Sequence, residues 1–280
     1  MSVFGRLRAA IDRLWAAFPR TFTTGAMALL GFLGLFVGIV VASLIVGILF
    51  ANGIDVRERP FLSLVVSLVS IQGVGLSVVG LVYLAGTGRG VSYLRARLPS
   101  LRDVGWVVAG TVAIFALLFV VAIAITVIMQ ATDVEPASNS AVELAERNPS
   151  VLLLMIPAAF LVIGPAEELL FRGIIQNRLR EVFGAVGAIG VASVIFGLGH
   201  ATALTGGSGG VGAIAIPLAA LSLLSVVFGV AYERTDNLVV PVLIHGAYDA
   251  ILFGALYLAL TSDSLETATN SSSALLAALV

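Results

Sequence analysis

The sequence predicts an all-α polytopic membrane protein of seven or eight transmembrane helices, and three observations carry that expectation. Hydrophobic residues make up 59% of the 280 and charged residues 11%, where a soluble domain carries about 25% charged residues. The mean hydropathy is +1.10, too apolar for a chain that must cover a water-facing surface. Several uncharged stretches reach the roughly 20 residues that a helix needs to cross hydrocarbon with its backbone polar groups satisfied internally.

Residues 1–23 set Arg6, Arg8, Arg13 and Arg20 against Phe4, Leu7, Ile11, Leu14, Trp15 and Phe18. That is the pattern of a basic helix lying on an anionic membrane surface, or of a basic flank that orients the first crossing. The uncharged run from Ala26 to Phe50 outlasts the roughly 7–15 residues of a cleavable signal's apolar core and reads as a retained helix. Further apolar segments run from about Phe61 to Leu84, Val104 to Met129, Val151 to Glu168, Val186 to His200, Val211 to Tyr232 and Leu238 to Leu260. An eighth, partial or re-entrant segment would change the parity.

The connecting loops sort by charge. Arg89, Arg95, Arg97 and Arg102 lie between the second and third segments, and Asp133, Glu135, Glu143 and Glu146 between the third and fourth. The positive-inside rule then makes the N-terminus, the 85–103 loop and the Arg172–Arg180 stretch cytoplasmic, and the 130–150 loop outward. With odd parity the C-terminus lies outside, where Asn270-Ser271-Ser272 has the form of a glycosylation sequon. The tail from Ser272 to Val280 is apolar but too short to cross alone. The chain reads as one membrane domain, 1–280, of the cell membrane: an interfacial helix (1–23), N-terminal transmembrane helices (24–150), a chemistry-bearing core (151–260) and a tail (261–280).

Composition also excludes. A net charge of −1 and a pI near 6.1 leave no reason to expect nucleic acid as a partner. Cysteine is absent, which removes disulfides, thiolate metal sites and cysteine nucleophiles. The expected partners are membrane lipids and a membrane-associated protein or peptide.

Ionisable groups inside a bilayer cost on the order of 2.5 to 3.5 kcal/mol each and usually face a cavity or one another, so the exceptions locate the chemistry. Glu167, Glu168, Arg172, His200, His245 and Asp249 lie in or beside apolar helices, and His200 and His245 are the only histidines of the chain. Glu168 and Arg172 are i, i+4 neighbours, as are His245 and Asp249, and such pairs share a helix face. Glu167 points about 100° away from Glu168. This spacing leaves Arg172 to pair with Glu168 and frees Glu167 to project toward the histidines.

At these residues the sequence resembles the CAAX protease and bacteriocin-processing family of intramembrane glutamate peptidases, which includes the type II CAAX prenyl endopeptidases. Glu167-Glu168-Leu169-Leu170-Phe171-Arg172 matches EExxxR, Phe196-Gly197-Leu198-Gly199-His200 matches FxxxH, and His245-Gly246-Ala247-Tyr248-Asp249 matches HxxxN/D. The resemblance covers roughly residues 150–260. It implies a conical intramembrane catalytic cavity and a metal-independent endopeptidase with no cofactor, acting on membrane-associated or prenylated CAAX-like substrates. Glu167 and His200 would hold and activate a water, with Glu167 as general base. His245 and Asp249 would stand where the oxyanion is stabilised, while Glu168, Arg172 and Phe196 support. An ionised Asp249 has no proton to donate: either it is protonated, or it orients His245 and leaves donation to the imidazole. The second is preferred.

The sequence also offers residues for other chemistries. His200, His245 and Glu167 are legitimate zinc ligands, although no HExxH occurs. Gly206-Gly207-Ser208-Gly209 has the GxSG form of a rhomboid-type serine peptidase, in a glycine-rich loop. An aspartyl protease needs two buried aspartates, and only Asp249 qualifies. Outside enzymes, the same buried Glu and His residues would suit a proton-coupled transporter or a non-catalytic membrane scaffold.

Two expectations concern depth and access. Counted from Val186, His200 lies roughly 20 Å into its helix at 1.5 Å per residue, whereas Glu167 and His245 sit a turn or two from their cytoplasmic flanks. The three are nevertheless expected to converge on one cavity, opening to the cytoplasmic side or laterally to lipid.

Overall fold

The structure is a computed structural model that describes residues 16–132, 134–208 and 210–262. Most of the 1–23 reading, and all of the Asn270 sequon and the Ser272–Val280 tail, fall outside the described residues. Within them the chain is an all-α polytopic membrane protein. Six helical runs are long and apolar enough to cross a membrane.

These are α1 (Pro19–Ala51), α2 (Pro60–Gly86), α3 (Leu101–Ala131), the long run Val151–Ala203, and two final helices, Val211–Thr235 and Val239–Thr261. A short amphipathic helix, α4 (Ser140–Arg147), precedes the long run. That run contains both the fourth and fifth apolar segments of the sequence. It breaks at Gly184, whose φ of 72° is a left-handed conformation that suits glycine because no Cβ obstructs it. We call its arms α5 (151–183) and α6 (185–203), and the last two helices α7 and α8.

The first arm does not end at Glu168, where its apolar pattern stops. Helical structure continues through Leu169–Gln176 and on to the break, because the polar residues there, Arg172, Gln176 and Asn177, are all buried against neighbouring helices. The arms fold back on each other: Phe171 meets Phe196 edge to face at 5.1 Å. Glu167 stands 17 residues before Gly184 and His200 16 after it, so at 1.5 Å per residue both lie about 25 Å from the turn. The difference in depth expected between Glu167 and His200 is removed.

Three apolar clusters hold the bundle. Leu170, Phe171, Ile174 and Phe196 pack with Met27, Leu30 and Leu76 of α1 and α2. Ile114 of α3 packs with Leu224 and Phe228 of α7 and Ile244 and Tyr248 of α8. Val151, Leu152 and Met155 pack with Leu256 and with Val142 and Ala145 of α4. The outer faces of α1 and α3 carry exposed Leu29, Phe36, Phe50, Val112 and Phe119, as lipid contact requires.

Helices α1 and α2 cross through small residues, the usual means of close approach in membranes. A Cβ on Gly75 would lie 2.6 Å from the Gly34 carbonyl oxygen, backbone against backbone. Gly75→Ala is therefore expected to destabilise the bundle by about 1–3 kcal/mol, the range for overpacking, read as earlier unfolding in a denaturant titration of the detergent-solubilised protein. Unfolding at the parent midpoint would remove the crossing from the account of stability.

The two ends of the bundle differ. At one, Arg95 pairs with Asp236 and Asn177, Arg97 with Asp103 at 2.6 Å, Arg180 with Glu233 at 2.7 Å, and Arg20 donates to the Val182 carbonyl at 3.2 Å. At the other, Ser138–Asn139 and Leu204–Thr205 form a two-stranded antiparallel ladder, and Arg147 donates to the Arg57 carbonyl at 3.0 Å. The arginine-rich loops thus gather at one end and the acidic 130–150 loop at the other.

Candidate active site

The site is built where α2, α5, α6, α7 and α8 meet. Two departures from α-helical winding flank the glutamates, π-helical Ala159–Ile163 before them and Leu169–Gln176 after. Pro157 and Pro165 lie in the same stretch, and each lacks the amide hydrogen that an α-helical bond needs. Such widened turns are frequent at functional sites. A third, Leu68–Val78 in α2, carries Gln72.

Glu168 is fully buried and joins two cations or potential cations through one oxygen. Its Oε1 accepts from Arg172 Nη1 at 2.9 Å and from His245 Nδ1 at 2.8 Å. Arg172, 1% exposed, also donates through Nη2 to the Ser225 carbonyl at 3.0 Å and to Ser225 Oγ at 2.6 Å. Its guanidinium lies between the rings of Phe196 and Phe228, 4.7 and 5.0 Å from their centroids. The i, i+4 spacing anticipated the contact with Glu168. It did not show that Glu168 also reaches His245.

That second contact changes how His245 is oriented. The sequence reading gave the orienting role to Asp249, one turn on. In the structure the carboxylate on Nδ1 is that of Glu168, while Asp249 Oδ2 lies 3.5 Å from Nε2. Since Nδ1 donates to Glu168, Nε2 carries a proton only in the imidazolium form. The His245 ring is stacked on Phe228 at 4.7 Å with 13° between planes, which fixes its rotation.

Glu167 is 7% exposed. Its Oε1 accepts from Gln72 Nε2 at 3.0 Å, and its Oε2 stands 3.9 Å from His245 Nε2, beyond direct hydrogen bonding. Among the described residues Oε2 has no hydrogen-bond partner, nor has Gln72 Oε1. His200, at the end of α6, donates from Nδ1 to the Phe196 carbonyl at 2.9 Å. A carbonyl accepts only, so Nε2 of the neutral ring is left with its lone pair. Phe196 packs against this ring at 4.7 Å and against Arg172.

Glu167, His200, His245 and Asp249 all line one cavity of about 600 Å³, together with Gln72 and Ser225. No three His, Asp or Glu side chains among the described residues are grouped to hold a metal ion. Ser208 of the GxSG stretch does not line the cavity. It pairs with Glu135, donating from Oγ to Oε2 at 2.9 Å.

Gln72 and Ser225 were missed in the sequence. Ser225 sits on an apolar helix where a hydroxyl attracts no notice. Gln72 is the sole carboxamide in its apolar segment, and that was the available signal. Gln72→Leu removes a hydrogen bond to a charged group, worth about 1.5–3 kcal/mol. If Glu167 carries out the chemistry, kcat should fall at least about tenfold while KM holds. An unchanged kcat in a folded variant would leave Gln72 no part in positioning.

The chain was compared with curated proteins and with solved structures, and neither comparison found a match. Residues 149–251, the stretch that carries Glu167, His200, His245 and Asp249, match the family described as type II CAAX prenyl endopeptidase Rce1-like.

Proposed function

We propose that this protein is an intramembrane endopeptidase that hydrolyses a peptide bond with water activated by Glu167 and His200. The observation that carries the reading is the single cavity, inside an apolar bundle, lined by Glu167, His200, His245 and Asp249. Apolar helices tolerate such groups when they meet polar partners or water.

In this reading a water donates one hydrogen bond to Glu167 Oε2 and another to the lone pair on His200 Nε2. Glu167 takes a proton as the water oxygen attacks the scissile carbonyl carbon, and Gln72 keeps its other oxygen in place. The carbonyl oxygen becomes an oxyanion. It is met by the Nε2 proton of His245 in the imidazolium form, whose Nδ1 proton rests on Glu168. Glu167 then returns its proton to the leaving nitrogen, the C–N bond breaks, and an acid and an amine are released. Donors held in a water-poor site stabilise such an oxyanion strongly. Asp249, beside His245 Nε2, balances the imidazolium charge.

The test is to incubate the purified protein with a peptide library, prenylated and unprenylated, and read new termini by mass spectrometry. New termini that disappear with Glu167→Gln support the reading. Their absence under all conditions, with a well-folded protein, would transfer Glu167 and the histidines to a proton-coupled transporter or a non-catalytic scaffold.

A further inference from the structure

We infer that the cavity opens to the extracytoplasmic face, and that its substrate is a peptide segment presented on that side of the membrane. This is a different class from a prenylated tail in the cytoplasm. The inference rests on the peptidase reading only for what enters the cavity; the direction of opening stands on its own observations.

The first observation is where the cavity's walls lie. Beyond the glutamate and histidine cluster it runs past Ile71 and Ser67 of α2 and Ser43 and Val46 of α1, toward Val56 in the α1–α2 loop and Glu143 and Arg147 of α4. No lining residue comes from the 87–100 loop, from 177–184 or from 233–238. Those segments close the other end with Arg95–Asp236, Arg97–Asp103 and Arg180–Glu233.

Helix geometry supplies the reason. Helices α1 and α2 approach closely at Gly34, Gly38 and Gly75. Past that crossing Ser43 and Val46 of α1 and Ser63 and Ser67 of α2 all line the cavity. The apolar Ile39, Val46, Leu68 and Ile71 face it as well, so an apolar or lipid-attached part of a substrate finds a matching wall. The rim is polar, with Asn139, Glu143 and Arg147.

The second observation is charge. The closed end gathers Arg20, Arg89, Arg95, Arg97, Arg102, Arg178, Arg180 and Arg234 with Asp103, Glu181, Glu233 and Asp236, whereas among the described residues the open end has only Arg57, Arg59 and Arg147, beside Asp55, Glu58, Glu135, Glu143 and Glu146. Basic residues close to transmembrane ends are retained in the cytoplasm. The closed end therefore faces the cytoplasm and the mouth faces outward. The sequence-based expectation is an opening to the cytoplasmic side or laterally to lipid; here the arginines orient the bundle, and the cavity runs away from them.

The chain has no cysteine, so single cysteines report sidedness without background. Ser140→Cys at the rim, Ser63→Cys on the cavity wall and Ser92→Cys at the closed end would be treated with a membrane-impermeant maleimide. Intact cells and inverted membrane vesicles are compared. We expect Ser140→Cys and Ser63→Cys to label in cells and Ser92→Cys only in inverted vesicles. The reverse pattern overturns the inference, whatever the protein's activity. A second arm adds an impermeant quenched peptide, chosen from the library cleavage, to right-side-out and inverted vesicles. Cleavage of it in right-side-out vesicles supports the inference, and cleavage confined to inverted vesicles overturns it while leaving the peptidase reading intact. If no peptide is cleaved even in detergent, the peptidase reading fails and the labelling still decides the direction of opening.

Discussion

Glu167→Gln is expected to cut hydrolysis by about 10²- to 10⁴-fold, the range that a positioned general base contributes, and to leave the fold intact. The amide has nearly the same shape, and its oxygen can still accept from Gln72 Nε2, which now holds Glu167 Oε1 at 3.0 Å. On the proposed mechanism, what is lost is the ability to take a proton from water and return it to the leaving nitrogen. No ion pair closer than the 3.9 Å approach to His245 depends on this carboxylate, so stability should change little. The check is the rate of peptide cleavage by purified parent and variant, alongside their unfolding midpoints and elution volumes. Full activity in Glu167→Gln, beside a folded but inactive Glu168→Gln, would reverse the roles of the two glutamates.

Why the two glutamates differ was only half legible in the sequence. Charged residues stand out in an apolar chain because each is costly there, so Glu167, Glu168, Arg172, His200, His245 and Asp249 drew notice without any structure. Spacing assigned Arg172 to Glu168 because both lie on one helix. The link from Glu168 to His245 spans 77 residues, and a relation between helices leaves no periodic trace. Gln72 escaped for a related reason: an uncharged amide barely disturbs hydropathy, and its partner lies 95 residues away.

The same logic explains the shape of α5. Apolar runs end where polar residues begin, so the apolar segment stops at Glu168. Buried Arg172, Gln176 and Asn177 find their partners on other helices: Gln176 donates to the Gly229 carbonyl at 3.1 Å and Asn177 to the Tyr232 hydroxyl at 2.8 Å. Hydropathy thus truncates a helix where its functional face begins. The depth of the site then depends on the Gly184 turn, whose role becomes visible only when both arms are followed to it.

Arg172→Leu is expected to destabilise the protein by about 3–5 kcal/mol, the cost of leaving one member of a buried ion pair without its partner. The side chain is 1% exposed and Glu168 is fully buried, so water cannot replace the lost cation. The guanidinium also ties α5 to α7 through the two contacts with Ser225 and fills the space between Phe196 and Phe228. Arg172→Lys should recover little, because a single ammonium cannot span Glu168 and Ser225 with the planar fork that arginine offers. Glu168→Gln should cost less than Arg172→Leu, since its amide oxygen still accepts from His245 Nδ1. In the double variant the stranded carboxylate is gone, so the loss should fall short of the sum of the singles by an interaction of about 0.5–3 kcal/mol. Denaturant unfolding of the four proteins in one detergent measures this cycle. Strict additivity, or an Arg172→Leu variant as stable as the parent, would show that the pair does not hold the bundle. If the cycle closes with that coupling, the guanidinium that meets Glu168 beneath His245 is also what locks α5 to the rest of the core.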